Sequence, residues 1–232
     1  MATATRPEWA ESIVSRHHPL GASTGYMTEQ RGDWLAQIKM AWDVSPFAIE
    51  LSALSEPELP SLAQFLDDAP SLPFRYISIH GPSKNLQGDE ERLVAELTDV
   101  ARYANAVVMH PDTIEDPSLF RALGKKLLLE NMDSRKELGR TRQELGPLFE
   151  QLPDAGFCFD VPHAWSVDPT MAVASELLDG FGARLRHVHL SSLSEELHHI
   201  PLDVEDEERF RPTLERCLDV PWIFEAPPRG LR

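Results

Sequence analysis

The sequence predicts an α/β fold: one compact (β/α)8 barrel of the TIM-barrel class over residues 1–232, without an eighth helix at its C-terminal end. Three observations predict it. Eight short apolar stretches alternate with seven stretches of helical periodicity, the order that builds a parallel sheet with right-handed crossovers. Eight is also the strand number that closes such a barrel, and the 232-residue length is just short of the ~250 typical of the class. Most of the apolar stretches end in a side chain able to bind a metal, and barrels build their sites at the carboxyl ends of their strands. An open doubly wound sheet is the competing architecture, but no Gly-rich phosphate loop supports it.

The elements follow in order. Residues 7–16 read as a short helix, with Trp9, Ile13 and Val14 at helical spacing, and this helix is expected to cover the gap left by the missing eighth one. Strand one, 20–26, is weakened by Gly21 and Gly25. Helix one, 34–42, carries Trp34, Leu35, Ile38 and Trp42 at helical spacing; strand two is 47–51 and helix two 57–67. Strand three is 75–80, and helix three, 89–104, sets Leu93, Val94, Leu97 and Val100 on one face. Strand four (106–110), short helix four (116–123), strand five (126–130) and helix five (140–151, closed by Pro153) come next. Strand six is 157–160, and helix six, 169–178, takes Asp168 as its N-cap. Strand seven is 185–190. The connection 191–206 is long for a compact domain, and long connections are often functional. Helix seven is 206–218 and strand eight 222–225.

Charge narrows the partners. With 22 basic against 38 acidic residues, a net charge of −16 repels nucleic-acid backbones, so a small-molecule substrate is expected and nucleic acid is not. No apolar run is long enough for a membrane span, and the first residues carry no signal-peptide core. Cys158 falls in a strand and Cys217 on a helix, which fits a reduced, cytoplasmic protein.

Side-chain parity sharpens the site. Ile49, Ile79, Met109, Leu129, Phe159, Val188 and Phe224 precede the polar strand ends, and all are large and apolar, as helix-facing positions require. Their successors Glu50, His80, His110, Glu130, Asp160, His189 and Glu225 therefore face the barrel axis. Seven ionisable groups at one mouth repel and lose solvent, and a bound cation is the usual remedy. Imidazole plus carboxylate without thiolate suits Zn²⁺, Mn²⁺, Co²⁺ or Fe²⁺ better than Mg²⁺. The set exceeds what one ion needs, so two or three ions bind or some of the groups touch substrate. His163, in the turn after Asp160, is a further candidate.

In their order along the chain, the motifs His80-Gly-Pro, His110-Pro, Glu130-Asn131, Asp160-Val-Pro-His163, His189-Leu and Phe224-Glu225 resemble the xylose isomerase-like TIM-barrel superfamily from about Gly21 to Pro227. That group holds sugar isomerases and epimerases and also nucleases of the endonuclease IV type. The resemblance implies that Glu130, Asp160, His189 and Glu225 form a metal quartet in which the two glutamates transfer protons. It implies a metal-binding or substrate-contacting role for His163 and makes His80 and His110 extra ligands of the nuclease-like branch. That branch binds up to three zinc ions and uses an Asp-x-His pair after strand seven. The nearest match here is Glu196-Leu-His198, which makes His198 the candidate ligand. The residue after His110-Pro, usually Gly, is Asp112.

Simpler roles stand beside these. The quartet could be a salt-bridge cluster. His80 and His110 could bind substrate or hydrogen-bond groups around the ligands, and His198 with His199 could be a solvent-facing loop pair. His187 lies one layer below His189 and reads as a satisfied core histidine. Glu50 could contact substrate, act as a general base or form a strand-end salt bridge. The expected function is a divalent-metal-dependent isomerase or epimerase of a sugar, sugar phosphate or related polyol, with Glu130 and Glu225 moving the proton and His163 orienting a hydroxyl. The alternative is a zinc-dependent phosphoester hydrolase of the endonuclease IV-like type. A homo-oligomer that completes the pocket is a further expectation.

Overall fold

Eight parallel strands close into a barrel: β1 (Leu20–Ser23), β2 (Ala48–Ser52), β3 (Tyr76–His80), β4 (Ala106–Met109), β5 (Leu127–Glu130), β6 (Gly156–Asp160), β7 (Leu185–Leu190) and, after the two short strands of a separate hairpin, β8 (Ser192–Leu193) and β9 (His199–Ile200), the last barrel strand β10 (Trp222–Phe224). The closing pairs are β1 with β10 and β10 with β7. The structure, a computed structural model, describes residues 13–14, 18–69 and 71–229. The barrel strands are short apolar runs because both faces are covered, one by the helices and the other by the barrel interior.

Helices α1 (Trp34–Val44), α2 (Leu59–Asp68), α3 (Glu90–Val100), α4 (Pro117–Phe120), α5 (Arg142–Gln151), α6 (Val161–Val167), α7 (Ala172–Phe181) and α8 (Val204–Leu214) follow their strands. The main core lies between helices and sheet and contains Ile49, Ile79, Met109, Leu129, Phe159, Val188 and Phe224. These are the positions whose parity predicted a helix-facing side chain. Inside the barrel, a smaller cluster of Ala106, Val108, Leu128 and Cys158 packs with Tyr76.

Four expectations are corrected. β1 stops at Ser23, because the Ser23 hydroxyl accepts the Gly25 N–H (3.2 Å) and winds residues Thr24–Tyr26 into a 3-10 turn. Helix six becomes two helices. α6 starts directly after Asp160, whose Oδ1 accepts the His163 N–H at 2.6 Å, so one carboxylate serves both as site residue and as cap. α7 begins only after Met171, which sits at φ 63°; Asp168 still accepts the N–H groups of Ala172 (3.0 Å) and Val173 (3.2 Å) from outside the helix. The 191–206 connection holds the β8–β9 hairpin, whose two-residue strands are too short to show a period.

The expected helix at 7–16 lies outside the described residues except Ile13 and Val14, which form a bend rather than a helix. The Ile13 N–H donates to Glu207 on α8 at 2.7 Å. Among the described residues no helix is long and apolar enough to cross a membrane.

Candidate metal centre at the carboxyl ends of the strands

Strand parity sets seven groups on one side of the sheet, and the structure brings all seven into one cluster. Glu130, the last residue of β5, is its centre. Its Oε2 faces His80 Nε2 at 3.2 Å and His110 Nε2 at 3.5 Å; its Oε1 faces His163 Nδ1 at 3.2 Å and His189 Nδ1 at 3.6 Å. His189 Nδ1 also lies 3.9 Å from Asp160 Oδ2 and 3.5 Å from Glu225 Oε1. The pairing of β6 with β7, after a register shift between Phe157 and Cys158, sets Asp160 beside His189. Glu130, Asp160, His163, His80 and His189 are all buried.

A cation fits this donor set. His80 donates its Nδ1–H to the Gly81 carbonyl (2.9 Å), so neutral His80 would aim the Nε2 lone pair at the Glu130 carboxylate. Two lone pairs at 3.2 Å repel unless a proton or a metal ion lies between them. Ligand atoms sharing a tetrahedral ion at about 2.0–2.1 Å stand roughly 3.3 Å apart, which is the spacing around Glu130. Asp160 Oδ2, His189 Nδ1 and His110 Nδ1 are buried with no hydrogen-bond partner. Four ligand groups overlap here: His80, His110 and Glu130; Glu130, Asp160 and His189; Asp160, His163 and His199; and Glu50, His189 and Glu225.

The protonation pattern has the same cause. Burial lowers the pKa of His80 and His163, but carboxylates override it: Glu130 and Glu50 hold His80 at about 8, and Asp160, Glu130 and Glu225 hold His163 at about 10. Burial also opposes charge on His189, yet Cys158, Glu225, Glu50 and Glu130 raise its pKa well above the ordinary value. His110 goes the other way, to about 4, through burial reinforced by its neighbours His80 and His163. Burial raises the Asp160 carboxyl well above its usual range, although His163 opposes this. The carboxylates draw positive charge to the mouth, as protons or as metal ions.

Asn131 positions this centre. Its side chain takes the Asp160 N–H (2.9 Å) and gives an N–H to the Asp160 carbonyl (2.8 Å), tying the ends of β5 and β6 together. Its own carbonyl lies 3.0 Å from His163 Nδ1, the nitrogen that also faces Glu130 Oε1, while His163 Nε2 lies 3.9 Å from Asp133 Oδ2.

Two candidates move. His198 is exposed on the hairpin and belongs to none of the ligand groups found among the described residues. His199 takes the inward position, with Nδ1 3.4 Å from Glu225 Oε2 and 2.8 Å from Ser191 Oγ. The hairpin decides this: His199 opens β9 and pairs with the buried Leu193, whereas His198 lies in the turn before the strand. Glu50 does not line the cleft; it lies fully buried beneath His189, with His189 Nε2 at 3.1 Å. His187 is fully buried and pairs through Nδ1 with the Tyr76 hydroxyl at 2.9 Å, but its Nε2 has no hydrogen-bond partner, so it is not the satisfied core histidine expected.

Above the cluster opens a cleft of about 470 Å³ whose lining includes Glu130, Glu225, His163 and His199. Arg135 and Lys136 also line it, and neither stands out in the sequence. Arg135 pairs with Asp133 (2.7 Å) and Lys136 with Asp112 (2.6 Å), so the Asp that follows His110-Pro111 holds a rim lysine.

No family model matches the chain, and no curated protein does. Solved structures do. Endonuclease IV from Thermus thermophilus is 23% identical, covering 84% of this chain and 87% of its own, with a TM-score of 0.56. The apo form of a 3-keto-D-glucoside 4-epimerase from E. coli is 13% identical over 92% and 93%, with a TM-score of 0.55. An L-ribulose 3-epimerase is 14% identical over 89% and 80%, with a TM-score of 0.52. The chain thus shares the closed eight-stranded barrel fold of these solved structures.

Proposed function

We propose that this protein is a divalent-metal-dependent enzyme acting on a small anionic molecule in the cleft, and that its reaction is phosphoester hydrolysis. One observation carries the choice. Both oxygens of Glu130 are met by imidazoles, His80 and His110 on one and His163 and His189 on the other. A carboxylate so enclosed suits a bridge between two cations better than a base that must reach a substrate carbon. Zinc, manganese or cobalt ions held by Glu130, Asp160, His189, His80, His110 and His163 would supply Lewis acidity and a lowered pKa for water.

The chain's own groups do the rest. Glu225, which lines the cleft, accepts a proton from the attacking water and returns it to the alkoxide that leaves as the phosphorus–oxygen ester bond breaks. Arg135 and Lys136 at the rim attract the anionic group, and His163 and His199 hold substrate oxygens near the carboxylates. The net charge of −16 favours a small phosphoester over a nucleic acid.

The isomerase or epimerase is the second reading, favoured by one observation: Glu130 and Glu225, the pair that would exchange a substrate proton, both line the cleft. Solved barrels of this shape include both an endonuclease IV and epimerases. The deciding experiment incubates metal-loaded protein with a panel of small phosphoesters and, separately, with ketoses in deuterated water. Phosphate release that is lost in Glu130→Gln, together with two or three metal ions per chain, supports the hydrolase. Solvent deuterium entering a ketose, with about one ion per chain, would replace it with the epimerase.

A further inference from the structure

The Glu50 carboxylate lies in the barrel interior with no exposed surface and no access to the cleft. It belongs to β2, and β1 and β10 stand between that strand and β7 in the barrel order. Even so, it reaches across the interior to His189 on β7, with Nε2 at 3.1 Å from Oε1 and 3.2 Å from Oε2. The Ser78 hydroxyl donates to Glu50 Oε2 at 2.9 Å and fixes the carboxylate from the adjacent strand β3. His187 Nε2 stands 3.6 Å from the same oxygen, and the far nitrogen of His187 is engaged by the Tyr76 hydroxyl at 2.9 Å.

A carboxylate only accepts hydrogen bonds, so the nitrogen facing Glu50 must carry a proton. His189 then has one lone pair left, on Nδ1, the atom facing Glu130, Asp160 and Glu225. We propose that Glu50 is a positioning residue: it holds His189 in the Nε2–H tautomer and so aims Nδ1 at the mouth as a metal-binding atom. A carboxylate behind a ligating imidazole also raises the basicity of the ligand. The reach across the barrel sets the ring's orientation against two strands, which packing on β7 alone would not do. The proposal rests on the metal-dependent reading of the mouth.

A rival use of the same atoms exists. Cys158, His187 and His189 form a deeper buried group that could hold an ion of its own. An ion there that took His189 Nε2 would displace its proton, and that arrangement and this one would exclude each other.

The test is titration of metal-free protein with Co²⁺, read from its visible absorption, for the wild type, Glu50→Gln and Glu50→Leu, with metal-free melting temperatures measured alongside. The expected result is a 10–100-fold weaker affinity in both variants, with an unchanged number of ions and an unchanged coordination spectrum in Glu50→Gln. Equal affinity in wild type and Glu50→Gln overturns this inference and leaves the metal centre standing. A wild type that takes up no Co²⁺ or Zn²⁺ overturns the metal-dependent reading and this inference with it. Should both variants fail to fold, long-range ¹H–¹⁵N spectra of the zinc-loaded wild type decide. His189 protonated at Nε2 alone supports the inference; protonation at Nδ1, or loss of both protons to a second ion, overturns it.

Discussion

Two histidines adjacent in the chain illustrate what one residue's place can decide. His199 meets Glu225 and Ser191 in the cleft, whereas His198 faces solvent. Replacing His199 with Ala should lower turnover by at least about 10–100-fold, the usual effect of losing a ligand or its hydrogen-bonded partner. Replacing His198 with Ala should leave turnover within about twofold. Paired steady-state assays check this, and a larger loss in the His198 variant would put the wrong ring in the site. Nothing in the dipeptide itself distinguishes the two; the start of β9 at His199 does.

Between elements, side-chain bonds to backbone matter more than their number implies. Asn131 satisfies both backbone groups of Asp160 across the β5–β6 boundary. Asn131→Ala leaves those groups buried and unpaired, at about 1–3 kcal/mol for each orphaned group, so urea unfolding should show a loss of at least about 2 kcal/mol. A loss under about 0.5 kcal/mol would mean that water replaces the amide. A second tie lies at the other end of the barrel. His18 donates from Nε2 to the Val220 carbonyl (3.0 Å) with its ring against Trp222 of β10. Burial lowers its pKa below the ordinary 6.5, although the Val220 bond opposes this. The folded-state pKa is therefore below the unfolded one, so the stability this histidine contributes is present above about pH 6.5 and lost as pH falls. Urea unfolding at pH 7.5 and 5.5 should show a smaller acid loss in His18→Gln than in the wild type. Equal losses would refute the assignment.

At the scale of the whole molecule, the mouth concentrates charge that the barrel must balance. Glu50, Glu130, Asp160 and Glu225 meet six imidazoles, those of His80, His110, His163, His187, His189 and His199, in a space mostly closed to water. A cation that binds the folded chain alone stabilises it by about 2.7 kcal/mol at a hundredfold excess over Kd. For a chain of this size that corresponds to about 5–10 °C in melting temperature. Thermal unfolding before and after chelation, then with Zn²⁺ or Mn²⁺ restored, should show a drop of this order and its recovery. An unchanged melting temperature at saturating metal would argue that protonated histidines alone balance the carboxylates.

Much of this was legible in the order of residues. The strand-helix alternation, and the parity that sends Ile79 and Met109 outward and His80 and His110 inward, follow from local periodicity, because each strand is a short run with a fixed side-chain alternation. The same periodicity placed Glu130, Asp160, His189 and Glu225 at one mouth. Local pattern could not say that Asp160 starts a helix at once, that Glu50 lies under His189 instead of in the cleft, or that Arg135 and Lys136 reach the rim. Nor could it choose His199 over His198. These depend on contacts between residues far apart in the chain, such as Glu50 with His189, and only closure of the barrel brings those partners within hydrogen-bond distance.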